Sequence, residues 1–178
     1  KLDEMSRSID THMQTNNNQG GYAAVNPSRN VEPQNSDFRS YSQSQFDKYY
    51  NTAQDQLRRG YFNEAADSFT LACVYEPENP ICYAGQGHAL FAAGQFVSSA
   101  LYIIRAIELN PDYMQTNTDL MLIIGSRDVV LSRTSELEQL LRKAPASGLQ
   151  ILAAYVYYRT GRLADARQII NAVYQETP

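Results

Sequence analysis

The sequence predicts an all-α protein, a solenoid of stacked antiparallel helix pairs behind a long polar arm. Three observations point there. First, the stretch from Phe46 to Pro111 repeats itself at a spacing of 34 residues: Tyr49 is answered by Tyr83, Gly60-Tyr61-Phe62 by Gly94-Gln95-Phe96, Ala72 by Ala106 and Pro77 by Pro111. Self-similarity at that period marks an array of helical units, none of which can bury its apolar face alone. Second, Pro77, Pro111, Pro145 and Pro178 keep nearly the same phase through the rest of the chain. Third, residues 1–45 differ in composition, rich in Asn, Gln and Ser and poor in aliphatic residues. Such a segment buries too little apolar surface to offset its backbone entropy, so an extended or disordered arm is expected.

Taken in order, the arm contains one periodicity, Leu2, Met5, Ile9 and Met13 at helical spacing. It reads either as the apolar edge of a helix or as chance in a short polar stretch. The first unit, 46–79, predicts a helix to Arg59, a turn at Gly60 and a second helix from Phe62 to Tyr75. Pro77 lies beyond that helix, where a proline cannot continue it. The second unit, 80–113, has the same layout, with helices near 81–93 and 96–109. The fourth, 147–178, returns to it, with Gly161-Arg162-Leu163 in the turn and Ala166 and Ile170 in the second helix. The third unit, 114–146, is degenerate. Asp128 stands where the turn glycine should be, Met121 departs from the pattern, and Arg133 fills the slot that should be smallest. A long turn around Arg127 to Arg133 and a local change of superhelical pitch are expected. Ser135 and Glu138 then read as a capping box that starts a shortened helix carrying Leu137, Leu140 and Leu141.

Composition excludes several functions. A net charge of −4 argues against non-specific nucleic-acid binding, which needs a basic stripe. No apolar run reaches the roughly 20 residues of a membrane span. His12 and His88 lie apart, without Cys or carboxylate at metal-ligand spacing. Gly60, Gly94 and Gly161 sit between helices rather than in a strand-to-helix phosphate loop, and Gly85-Gln86-Gly87-His88 falls mid-helix at a close-packing position. No Ser or Cys stands in a nucleophile context. Neither enzyme, cofactor nor metal is therefore expected. Cys73 and Cys82 read first as small apolar fillers. The competing reading is a bridge across the junction of two units, which needs Cα atoms within about 7 Å. The start at Lys1 reads as a piece of a longer or processed protein, its targeting signal out of view. Composition leans toward an exported or envelope protein without fixing the compartment.

These units resemble the tetratricopeptide repeat family over about three quarters of the chain. The family pattern of aromatic, small, glycine and proline positions is met by Tyr49, Ala53, Gly60, Phe62, Ala65, Phe69, Ala72 and Pro77 in the first unit. The second supplies Tyr83, Gly87, Leu90, Gly94, Phe96, Ser99, Ile103, Ala106 and Pro111, and the fourth Ala153, Ala154, Tyr157, Gly161, Leu163, Ala166, Ile170 and Pro178. RNA-binding repeats one residue longer are the nearest competitor; the period and the acidic charge count against them.

The resemblance implies a right-handed α-solenoid of about four units and a non-enzymatic scaffold that holds a peptide or protein in a concave groove. The first helix of each unit would line it, presenting Tyr50, Gln54 and Arg58, then His88 and Phe91, then Asp119, then Tyr155, Tyr158 and Arg159. Tyr, Phe and Arg are natural anchors for such a ligand, and Arg58 and Arg159 would be the groove cations. Chaperone-binding members clamp a terminal carboxylate with Lys and Asn. Those slots here hold Tyr50, Gln54, Gly85, Gln115 and Asp119, so a chaperone C-terminus is rejected as ligand. The alternatives are a self-assembling structural module, or an accessory domain of a larger enzyme or of a membrane-anchored protein.

Overall fold

The structure, a computed structural model, describes residues 34–116 and 118–176. Among these, every regular element is helical: α1 Gln34–Arg58, α2 Phe62–Tyr75, α3 Pro80–Ala92, α4 Phe96–Leu109, a 3-10 turn Pro111–Gln115, α5 Leu120–Ile124, α6 Arg127–Lys143, α7 Ser147–Arg159 and α8 Leu163–Glu176. The helices pack in adjacent pairs, α1 with α2, α3 with α4 and α7 with α8.

The three hairpins turn by one device. Gly60, Gly94 and Gly161 have φ of +86°, +80° and +77°, a left-handed conformation that costs glycine little. In each, the amide one residue past the glycine donates to a carbonyl five residues back, Tyr61 to Gln56, Gln95 to Leu90 and Arg162 to Tyr157. The glycine amide itself bonds three back, which closes a Schellman motif and satisfies carbonyls the helix end leaves free. Inside the pairs the small residues do what their size allows. Ala53, Ala65, Ala72 and Ala106 are fully buried. Ser99 is buried too, and its hydroxyl donates to the Gly87 carbonyl at 2.8 Å. The close-packing reading of the Gly85 stretch holds: a Cβ on Gly85 would meet the Phe69 ring at 2.4 Å.

The degenerate unit differs from expectation. Residues 114–146 form no layer between the second and fourth pairs. α7 packs directly on α4, as α3 packs on α2, while α5 lies against α1 and α3, and α6 against α3 and α7. The physical reasons are local. Gly125, with φ +76°, ends α5 and takes over the turn that Asp128 cannot make. Ser126 then caps α6, its Oγ accepting from the Val129 amide. Residues 127–133 are accordingly helix, not a long turn, and Ser135 sits exposed within α6 rather than starting it. Arg133, too large for a hairpin seam, instead donates from Nε to the Ala92 carbonyl at the end of α3, 2.9 Å away. Leu120, Ile124, Val130 and Leu137 are carried into the same core as Leu57, Phe91 and Leu152. That core runs through all the pairs.

Two further expectations change. α1 begins at Gln34, ahead of the Phe46 boundary, so the described end of the polar arm is helical. There Tyr41 and Tyr49 both contact the Tyr75 ring. The Leu2–Met13 periodicity lies outside the described residues. Cys73 and Cys82 form a disulfide, with Cα atoms 5.5 Å apart across the α2–α3 junction; the bridge, not the filler reading, describes them. It sits beside Phe46 and Ala72, with Tyr49, Tyr75 and Tyr83 packed around it.

Two stability outcomes follow. Reduction should lower unfolding free energy by about 2–3 kcal/mol for so short a loop, read as a shifted urea midpoint; an unchanged midpoint contradicts a bridged native state. Gly85→Ala should cost about 1–3 kcal/mol by overpacking against Phe69, and a neutral result would mean that α2 and α3 sit farther apart.

Candidate functional site

The expected groove residues do not share one surface. Tyr50, Gln54 and Arg58 on α1 and His88 on α3 line a cavity of about 400 Å³, closed on its other side by Tyr113 and Leu122. Phe69, Ile81, Ala84 and Ile123 add apolar wall, and Thr116 and Thr118 add hydroxyls. The spacing of α1 follows from helix geometry, since Tyr50, Gln54 and Arg58 recur every four residues on one face. Tyr50 is half-buried, packed edge-on to Phe69 at 5.5 Å, and burial raises its phenol above the ordinary range. Arg58 is exposed, and no Asp or Glu is among the lining residues described.

The remaining expected residues lie elsewhere. Phe91 is 1% exposed and packs in the core against Phe96, so it faces no groove. Asp119 is the N-cap of α5, its carboxylate accepting from the Met121 amide at 2.8 Å. Tyr155 and Tyr158 line a second cavity with Ile107 and Met114. Arg159 is 4% exposed and is no groove cation. Its guanidinium donates to the Thr116 carbonyl, to the Tyr113 carbonyl at 2.9 Å and to the Thr116 hydroxyl at 3.2 Å. The rings of Tyr113, Tyr155 and Tyr158 surround it at 5.0, 5.3 and 5.7 Å. This displacement follows from the shortened α5. The connector at 113–116, which carries the end of the 3-10 turn, supplies the oxygens to which Arg159 donates.

One buried network joins these parts. His88 Nε2 lies 2.6 Å from the Tyr155 hydroxyl, which lies 3.3 Å from that of Tyr113. Burial, and then the nearby Arg159 charge, push the His88 imidazole down to about 3. Burial also lifts the Tyr155 phenol well above its ordinary value. Both groups are thus neutral near pH 7. A Tyr155 proton donated to Nε2 leaves the Tyr155 oxygen free to accept from Tyr113. Sequence reasoning named His88 and Tyr155 as ligand-facing, placed Leu122 on the same groove, and missed Tyr113 and Thr116. These two follow the second-unit proline, where the 34-residue register promised only the start of another helix.

Among the described residues, no group of three or more His, Cys, Asp or Glu is placed to hold a metal. No described helix is long and apolar enough to cross a membrane. Compared with protein-family models and with curated proteins, the chain matches no family model and no curated sequence.

His88 sets a pH dependence with a definite sign. Its folded pKa of about 3 lies below the free value of 6.5, so the unfolded chain binds the proton between them. The stability it supports is complete above that upper value and is lost as pH falls, by up to about 1.4 kcal/mol per unit. Urea midpoints measured from neutrality down to about pH 5 should fall, and should fall less in His88→Gln. Equal slopes in the two proteins would place a solvated histidine at this position.

Proposed function

We propose that the chain is a non-enzymatic interaction module of tetratricopeptide-repeat type, a right-handed solenoid that holds an extended peptide or protein segment. The ligand occupies the cavity bounded by α1, α3 and the connector. The observation that carries this reading is that cavity's make-up. Tyr50, Gln54 and Arg58 of one first helix and Ile81, Ala84 and His88 of the next face the same space of about 400 Å³. An aromatic and aliphatic floor with a few polar groups at its edge suits side-chain pockets that grip a peptide while leaving its backbone hydrated. The sequence register and the three like turns support the repeat assignment. The acidic balance of the chain argues against nucleic acid as partner. The buried Cys73–Cys82 bridge favours an oxidising compartment, in keeping with the compositional lean toward an exported or envelope protein.

The test is peptide selection from a random display library, followed by affinity measurements on variants that fill or recharge the cavity. Ile81 is 37% exposed at its edge, so Ile81→Trp should occupy the space without disturbing the core. It should weaken selected peptides by about tenfold or more, which is about 1.4 kcal/mol. Arg58→Glu should shift the selected sequences away from acidic residues. Selected peptides that bind both variants as well as the parent would remove this cavity as the site.

A further inference from the structure

The second cavity lies between the second and fourth helix pairs and has a different chemistry. It encloses about 380 Å³ among Ile107, Met114, Ile151, Tyr155, Tyr158 and Ile170. Tyr155 turns its hydroxyl away, to His88 and Tyr113, so only its ring is left to the cavity. Arg167 stands exposed at the lining, and no Asp or Glu is among the described lining residues. Behind the tyrosine wall sits a second cation. Arg159 is buried, hydrogen-bonds only neutral groups, and its Nε has no partner. A buried guanidinium without a carboxylate is a costly arrangement, and its field acts through a poorly screening interior.

We propose that this cavity binds a single-chain acyl anion, the chain in the apolar space and the carboxylate toward Arg167. Three features converge on that ligand. Apart from the Tyr158 phenol and the Arg167 guanidinium the lining side chains present apolar groups, too few hydrogen-bonding partners to hold a sugar or a nucleotide. Both flanking charges are positive with no acid between them, which excludes cationic amphiphiles. The volume lies near the lower end of small-molecule sites, about 300–1,000 Å³, which favours one medium-length chain over a two-chain lipid. The site is on other residues than the peptide cavity and does not depend on it.

The probe is sodium dodecanoate, titrated calorimetrically below its micelle concentration into the full chain. Dodecanol, dodecyltrimethylammonium and phosphatidylglycerol vesicles serve as the comparison ligands. Dodecanoate should bind once per chain and more tightly than the alcohol or the ammonium. Ile170→Glu, which places a charge in the cavity, should weaken it by about tenfold or more. Arg167→Glu, a surface change that leaves the core untouched, should weaken it by about threefold or more. Ile81→Trp, in the other cavity, should leave it unchanged. Failure of dodecanoate to bind would overturn the proposal, as would equal affinity for the alcohol or the ammonium, or indifference to Arg167→Glu with Ile170→Glu folded by circular dichroism. Binding to vesicles alone would make the occupant a bilayer lipid and overturn it. So would a dimer that Ile170→Glu disperses, since a second copy would then fill the space.

Discussion

The contact on which the rest depends is the seam that joins the fourth helix pair to the second. Its centre is Arg159, whose guanidinium satisfies the Tyr113 and Thr116 carbonyls and is walled by three tyrosine rings. Taking that charge from water costs several kcal/mol unless its donors are used. Here two of its three nitrogens are used, on carbonyls that also accept from the Thr116 and Thr118 amides. The Tyr155 hydroxyl then reaches His88 on α3, so the seam ties α7 to the connector and to the second pair together. Without it, α7 and α8 would have no regular partner, because the unit that should precede them is displaced.

That displacement governs both cavities. Because α5 and α6 lie against the first helices α1, α3 and α7, part of the surface on which a regular array would bind its ligand is occupied by the chain itself. What remains open is the space at α1 and α3, roofed by Tyr113 and Leu122. The second cavity lies at the joint between α4 and the last pair, which did not follow each other in the repeat register. The Tyr157 hydroxyl donating to Glu138 at 2.8 Å, and Arg162 reaching the same carboxylate, fix α6 to α7. Burial works against the Glu138 charge, but these two hydrogen bonds hold its carboxyl below the usual value.

Much of the helical fold was legible because it is written in residues with one physical use. Gly60, Gly94 and Gly161 mark left-handed turns, Pro77 and Pro111 mark helix ends, and alanines mark close approach. The third unit was legible as irregular but not in its outcome. Arg133 showed that a tight hairpin could not form, yet nothing local says that it would reach the Ala92 carbonyl. Gly125 was the available signal for the true turn, overlooked because it stands three places ahead of the repeat register. The groove suffered most. Helix periodicity places Tyr155 and Arg159 on one face correctly, but which face is covered depends on residues 113–143 folding back, a long-range event. The bridge between Cys73 and Cys82 depends on the connector geometry, and the sequence leaves that open between a bridge and two separate apolar fillers.

The seam is tested most directly by nuclear Overhauser effects between the His88 imidazole protons and the Tyr155 ring protons. The ring centroids are 5.8 Å apart, so clear cross-peaks are expected in the native protein. Their absence, with Tyr155 instead showing contacts only to α6 and α8, would mean that an intact third unit separates the second and fourth pairs and would contradict the account.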